Sequence, residues 1–357
     1  MAALISSPHA QGSNRTRTIM VQVMGATLPG VALMTWFFGW GTLINILLAS
    51  ACAIGFEAAI LRLRLRRRPI GFYLNDGSAL VTAWLLALAL PPYAPWWLVL
   101  VAIGFAITFG KHLYGGLGQN PFNPAMLGYA MVLVSFPMEM TSWPVWRGIE
   151  QLQPAFSPTL GLIEGLQRVF MPGSLPADGW ATATALDLLK NNSALTMAEL
   201  QQAQPAFGSM AGRAWEWVAL AYLAGGLYLL YKRIYSWHAP VGMLGALAVM
   251  SLLFWNGSGS GSNGSPLFHL LGGATMLGAF FIATDPVTSA TSNRGRLVFG
   301  IGIGILVYVI RVWGNYPDAV AFAVLLMNLC APTIDYYTTP RTYGHRKAKR
   351  GLGKGAE

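Results

Sequence analysis

Two carboxylates and two threonine hydroxyls lie within ten residues in Asp178-Gly-Trp-Ala-Thr182-Ala183-Thr184-Ala-Leu-Asp187. A hydroxyl among small residues on loop backbone is an acceptor for covalent modification, because a modifying enzyme must grip the chain and reach the oxygen. Thr184 is therefore the candidate attachment residue, with Asp178, Thr182, Ala183 and Asp187 as its surroundings. A second segment, Asp285-Pro-Val-Thr288-Ser-Ala-Thr291, repeats the order of acid followed by hydroxyls.

Other groups offer different chemistry. Glu57, Asp76, Asp285, Arg311 and Asp318 fall in or at the ends of apolar runs, where an unpaired charge is costly and marks an ion path or an ion pair. Asp76 and Asp318 also suit helix caps. Glu57 lies furthest inside a run and requires a polar partner. Cys52 and Cys330 are the only cysteines, each alone, so no metal or iron–sulfur site is expected and both read as core thiols. His112, His238 and His269 sit near helix ends and read as interfacial hydrogen-bonding residues.

The elements that must position these residues are membrane helices. The 357 residues are 54% hydrophobic and 10% charged, with a mean hydropathy of +0.49, the composition of a polytopic membrane protein. Ten apolar runs are predicted as helices: 18–38, 41–61, 76–90, 96–110, 124–136, 215–231, 241–255, 267–283, 297–312 and 318–331. Several are shorter than the roughly 20 residues that cross about 30 Å of hydrocarbon. The spans 76–90 and 124–136 are expected to be tilted, broken or buried in protein, with ligands or ions held at their ends.

No cleavable leader pattern precedes the first run, so the N-terminus is expected to be cytoplasmic. Ten crossings then leave only Arg147, Arg168, Lys190, Arg213 and Arg311 of the 23 Lys and Arg on the outer side, as the positive-inside rule requires. The net charge of +10 is thus topology charge plus a basic tail; the partner it implies is the lipid membrane and not nucleic acid. Gly300-Ile-Gly302-Ile-Gly304 lies within an apolar run and reads as close packing, without the strand-turn-helix setting of a nicotinamide site.

The chain also repeats itself. Gly77-Ser-Ala79 aligns with Gly272-Gly-Ala274, and Asn120-Pro-Phe-Asn123 with Asn315-Tyr-Pro-Asp318, both at a shift of 195 (272 − 77 and 315 − 120). Five helices per unit is an odd number, so the second unit enters the membrane from the other side. The expected organisation is a first five-helix repeat over 1–137, an extracytoplasmic segment over 138–212, a second repeat over 213–340 and a basic cytoplasmic tail over 341–357.

In the order Gly110-Lys-His-Leu-Tyr-Gly-Gly-Leu-Gly-Gln-Asn-Pro-Phe-Asn-Pro-Ala125, Asp178 to Asp187, and Ala283-Thr-Asp-Pro-Val-Thr-Ser-Ala290, the chain resembles over its whole length the RnfD proteins of the Rnf electron-transport complex, related to the NqrB proteins of the sodium-pumping NADH:quinone oxidoreductase. The resemblance implies an all-α, urea-transporter-like fold of two inverted repeats in the bacterial inner membrane, with both termini cytoplasmic and a periplasmic flavin-bearing loop. It implies an FMN joined through its phosphate to a Thr hydroxyl by a flavin transferase that reads Asp-x-x-Ser/Thr-Gly-Ala-Thr. Asp178, Ala183 and Thr184 match that pattern, while Ala181 and Thr182 depart from it.

Thr291 fits the written pattern better but falls on the cytoplasmic side, so Thr184 is the expected acceptor, with Thr182 and Thr291 as alternatives. The implied activity is electron relay within a ferredoxin:NAD oxidoreductase coupled to Na+ or H+ transport. Its partners are the other proteins of the Rnf complex, RnfA, RnfB, RnfC, RnfE and RnfG; Glu57, Asp76, Asp285 and Asp318 are candidates for the ion or coupling path. A second, noncovalent flavin such as riboflavin between the halves is left open. The alternative is a solute channel or transporter on the same scaffold.

Overall fold

The computed structural model describes residues 16–64, 71, 74–152, 156, 159–173, 179–192, 194–316 and 318–339. Asp178 and the tail 341–357 lie outside the described residues. The first half runs α1 (Thr16–Phe38), α2 (Gly41–Leu63), α3 (Ser78–Ala89), α4 (Trp96–Phe105) and α5 (Pro124–Ser135). The second runs α10 (Trp215–Tyr231), α11 (His238–Leu253), α12 (Pro266–Leu271), α13 (Thr275–Leu277), α14 (Asn293–Trp313) and α15 (Val320–Thr338). Four of these, α1, α2, α14 and α15, are long and apolar enough to cross a membrane. At about 1.5 Å rise per residue, the 23 residues of α1 span its hydrocarbon core.

Local chemistry explains the short helices. α4 passes directly into a π-helical stretch, Ala106–His112, and that wide turn sets Lys111 and His112 inward, both buried. Asn123 caps α5 by accepting from Met126 N at 3.2 Å, with Pro124 at the first helical position. Gly77, at φ 75, opens α3, where Asp76 Oδ1 accepts from Ser78 N at 2.8 Å.

The single helix predicted over 267–283 is corrected: it is α12 and α13, interrupted at Gly272 and Gly273, with α13 continuing as a π-helical Gly278–Ile282. Gly273 adopts φ 58, which favours glycine. The carbonyls freed by the break are satisfied by Arg311, which donates to His269 O at 2.8 Å and Gly272 O at 3.2 Å, and by Thr275 Oγ1. Irregular backbone buried in protein survives only with such partners.

Close approach holds the two halves together. α1 packs on α10, where a Cβ at Gly225 would strike Ala26 O and one at Gly30 would strike the Tyr222 ring. Within the second half, α11 packs on α14 equally closely, with Ala239 O and Met243 O lying where side chains at Gly300 and Gly304 would stand. The close-packing reading of this glycine run is borne out.

The segment expected as one long loop is a folded cap. It contains α6 (Pro137–Thr141), α7 (Leu162–Phe170), α8 (Ala185–Lys190), α9 (Met197–Ala203) and a short antiparallel ribbon of β1 (Trp143–Pro144) with β2 (Ala181–Thr182). α7 buries Val169 against Ile44 and Tyr93 of the membrane half, and Arg147 N donates to Phe37 O at 2.7 Å.

Candidate functional site

Thr184 is the residue at which ribbon and helix meet. Thr182 pairs with Trp143 in the ribbon, Ala183 is exposed, and Thr184 turns the chain into α8 as its N-cap. Its Oγ1 accepts from Asp187 N at 3.3 Å and donates to Asp187 Oδ2 at 2.5 Å, while its own N–H donates to Asp187 Oδ2 at 3.1 Å. This reciprocal box satisfies the first free amides of α8. Thr184 is consequently half-buried and fixed, in contrast to the mobile loop position expected from its neighbours.

α8 is fastened at its other end as well. Lys190 Nζ donates to Ile310 O at 3.3 Å, Arg311 O at 3.1 Å and Tyr316 O at 2.8 Å, at and just beyond the last turn of α14, where a cation is favoured. Burial pushes the Lys190 ammonium below its ordinary range, and the Asp187 carboxylate draws it back.

Beneath Thr184 lies a cavity of about 340 Å³ between the two halves of the chain, within the range of small-molecule sites. Its walls include Met34, Met126 and Tyr129 from the first half, Tyr222, Leu277 and Val320 from the second, and Trp143, Thr184 and Asp187 from the cap. Trp143 and Trp215 meet edge to face at 5.2 Å, and Phe38 lies 4.9 Å from Trp215, so the wall is aromatic and apolar. Asp318 also faces this space; it is paired with Arg311 at 3.0 Å and accepts from Ala274 N at 2.7 Å.

The expected carboxylates are distributed as follows. Glu57 has the partner its position demands: it is ion-paired with Lys111, with His112 Nε2 3.4 Å away. Lys111 also donates to Ser78 Oγ at 2.6 Å, and Ser78 Oγ donates to Asp76 Oδ1 at 2.7 Å. Lys111 is thus a buried ion-pair partner, its side chain 4% exposed. Asp285 accepts from Val287 N at 3.1 Å and Thr288 Oγ1 at 3.0 Å and has no cationic partner within 4.0 Å among the described residues.

Asp285 lines a second cavity of about 280 Å³ with Lys111, Asn123 and Arg296. Thr291 is exposed, and its backbone N–H donates to Asp335 Oδ1 at 2.8 Å; it lines neither cavity.

One smaller expectation needs adjustment. Cys330 is exposed on α15 and is not a core thiol. His112 and His269 are buried in the protein, with His269 Nε2 2.7 Å from Asn263 O. Tyr129 and Lys190 carry no motif; Tyr129 is a polar group among apolar residues, and Lys190 looks like one more polar residue beside Asn191 and Asn192.

Comparison with known proteins adds independent information. A model of the NQR2, RnfD, RnfE family matches residues 3–344. The chain is 68% identical to the D component of the ion-translocating oxidoreductase complex of Ectopseudomonas mendocina, with 98% of each chain covered. It is 64% identical to the corresponding D component from Pseudomonas aeruginosa, again over 98% of each, and 52% identical to that of Vibrio vulnificus, over 96% of this chain and 99% of the relative. By the extent of these matches, the chain belongs to the NQR2, RnfD, RnfE family.

Proposed function

We infer that this protein is the membrane flavoprotein component of an ion-translocating oxidoreductase complex, with FMN anchored through its phosphate to Thr184. The observation that carries the reading is the Thr184 hydroxyl at the wall of an aromatic cavity of about 340 Å³. The fit is chemical as well as spatial: an apolar, aromatic space accepts an isoalloxazine ring, and a phosphoester at its edge keeps the group from diffusing away. When bound, FMN supplies one- and two-electron chemistry. The chain's own part is to hold and shield: Trp143 and Trp215 form an apolar wall, Tyr129 and Tyr222 close the membrane side, and α8 fixes the anchor.

The repeat reading has further support in the helix bounds. A shift of 195 carries α1, α2 and α3 onto α10, α11 and Thr275–Ile282, and α4 and α5 onto α14 and α15. Five crossings per unit make the repeat inverted, with the inner membrane as its site, the cap outside and both termini in the cytoplasm. The named relatives imply further components of the complex as partners, and maturation requires a flavin transferase. For coupling to Na+ or H+, Asp285 is the stronger candidate, because Glu57 and Asp318 already face cations.

The test is covalent labelling. Coexpressed with its transferase, the protein should retain flavin fluorescence in a denaturing gel and yield a flavin peptide at Thr184. Thr184→Val should abolish the signal, Thr184→Ser should keep it, and Thr291→Val should leave it unchanged. Label persisting in Thr184→Val but lost in Thr291→Val would place the anchor on the opposite side of the membrane.

A further inference from the structure

Building on the reading of Thr184 as the flavin anchor, we propose that Asp187 is the general base for its own chain's modification, taking the proton from Thr184 Oγ1 as that oxygen attacks phosphorus. Thr184 Oγ1 donates to Asp187 Oδ2 at 2.5 Å, the short distance of a charge-assisted O–H···O⁻ bond. The hydroxyl hydrogen is thus already directed at a carboxylate, and one oxygen lone pair is free for the incoming phosphoryl group. A threonine hydroxyl is a weak nucleophile at neutral pH unless an adjacent base accepts its proton.

The step balances with a flavin nucleotide activated as a pyrophosphate. The Thr184 O–P bond forms, the P–O bond of the pyrophosphate breaks, a nucleoside monophosphate leaves with that oxygen, and the proton resides on Asp187. No electron is gained or lost. Free FMN would not serve, because its phosphorus carries no leaving group other than oxide or water.

Comparison among the threonines isolates the feature. Thr196 caps α9 in the same reciprocal manner, with its Oγ1 donating to Glu199 Oε2 at 2.9 Å, but it borders neither cavity. Thr288 Oγ1 donates to Asp285 Oδ2 at 3.0 Å and is buried at 4% exposure. Thr182 and Thr291 have no carboxylate on their hydroxyls among the described residues. Thr184 alone of these combines a carboxylate-held hydroxyl with a cavity at its side.

A capping role would give the same geometry, so the test must separate acid–base chemistry from helix structure. Asp187→Asn keeps an acceptor for the Thr184 N–H and hydroxyl while removing the base. The full-length protein is incubated with its transferase and flavin adenine dinucleotide, the label is followed by in-gel fluorescence over time, and hydrogen exchange of Leu188 and Asn191 reports the α8 helix.

The expected result is a labelling rate about 100-fold or more below wild type with α8 protection unchanged, and partial recovery in Asp187→Glu. A wild-type rate in Asp187→Asn would overturn the proposal while leaving Thr184 as the anchor. Slow labelling accompanied by loss of α8 protection would assign Asp187 to capping and overturn it equally. Wild-type protein that takes no label on Thr184 would overturn the anchor, and with it this role for Asp187.

Discussion

Replacing Lys190 with Met tests whether α8 is held in place by its ammonium. The substitution keeps the length and apolar body of the side chain but removes the cation that donates to Ile310 O, Arg311 O and Tyr316 O. Hydrogen bonds from a charged donor contribute about 1.5–3 kcal/mol, and the three here share one ammonium and one desolvation cost. Burial already works against that charge, so the net loss is set at about 2–3 kcal/mol. The freed carbonyls at the end of α14 can turn to water, because Asn315 beside them is exposed.

A loss of this size makes local opening of α8 about 30- to 150-fold more frequent. Hydrogen exchange in detergent or nanodiscs measures it at the amides of Leu188 and Asn191, which donate to Thr184 O and Asp187 O at 3.0 Å each. Both should exchange faster by that factor, while amides in α1 and α2, remote from the contact, keep wild-type protection. Unchanged exchange at Leu188 and Asn191 would refute the argument that Lys190 fastens the helix. A uniform rise over the whole chain would refute its locality.

The buried pair gives a second expectation: Glu57→Gln or Lys111→Met alone leaves one charge buried and should cost about 3–5 kcal/mol, whereas the double variant should recover most of it; additive losses in thermal unfolding would contradict the pairing. Glu199 is held below the usual carboxylate range by hydrogen bonds from the Thr196 amide and hydroxyl. A lowered folded value means that the α9 cap is fully formed above the ordinary carboxylate range and is lost as pH falls through the lowered value. Exchange at Leu200 and Gln204 should therefore rise in acid, and a flat profile would refute it. Topology is checked with reporters: one near Ser193 should be extracytoplasmic and one after Lys349 cytoplasmic, and the opposite result would overturn the helix count.

The helices are legible because apolar runs end at strong local signals. Trp215–Tyr231 is predicted to the residue, and Pro124 with Asn123 marks the start of α5. The break at Gly272–Gly273 is not legible as a break, since its neighbours are apolar throughout and what permits it, the Arg311 guanidinium, lies 39 residues downstream of Gly272. Lys111 misleads for a related reason. Its place at the end of an apolar run looks the same whether the ammonium reaches water or folds back, and only the packing of α2 against the π-helical turn sets Glu57 beside it.

The site is legible in part for the same physical cause. Residue types alone give only a weak signal at Thr184, the family resemblance brings it forward with Thr182 and Thr291, and nothing in the local sequence distinguishes a solvated hydroxyl from one that caps a helix. The capping box needs only Thr184 and an acid three residues later, a pattern present at Thr196 and Glu199 too. What separates them is tertiary: the ribbon from Trp143 and the contact of Lys190 with α14 seat α8 over the cavity, whereas α9 borders neither cavity.

If Thr184 carries the flavin proposed for it, a fixed anchor also answers a functional requirement that a loop would meet poorly. A tether on mobile backbone would let its cargo sample many positions, and a relay depends on a constant distance between the groups that exchange electrons. Residue 184 is restrained from three directions: Trp143 pairs with Thr182 in the ribbon, Asp187 Oδ2 accepts from the Thr184 amide, and Lys190 holds the end of α8. Sites carried on rigid elements with supporting contacts keep their geometry better than sites on loops. On this argument, loosening the ribbon or the Lys190 contact should leave covalent attachment intact while broadening the environments of the attached group. On the proposed reading, loss of attachment belongs to Thr184 and Asp187, whose atoms would take part in the bond-forming step itself.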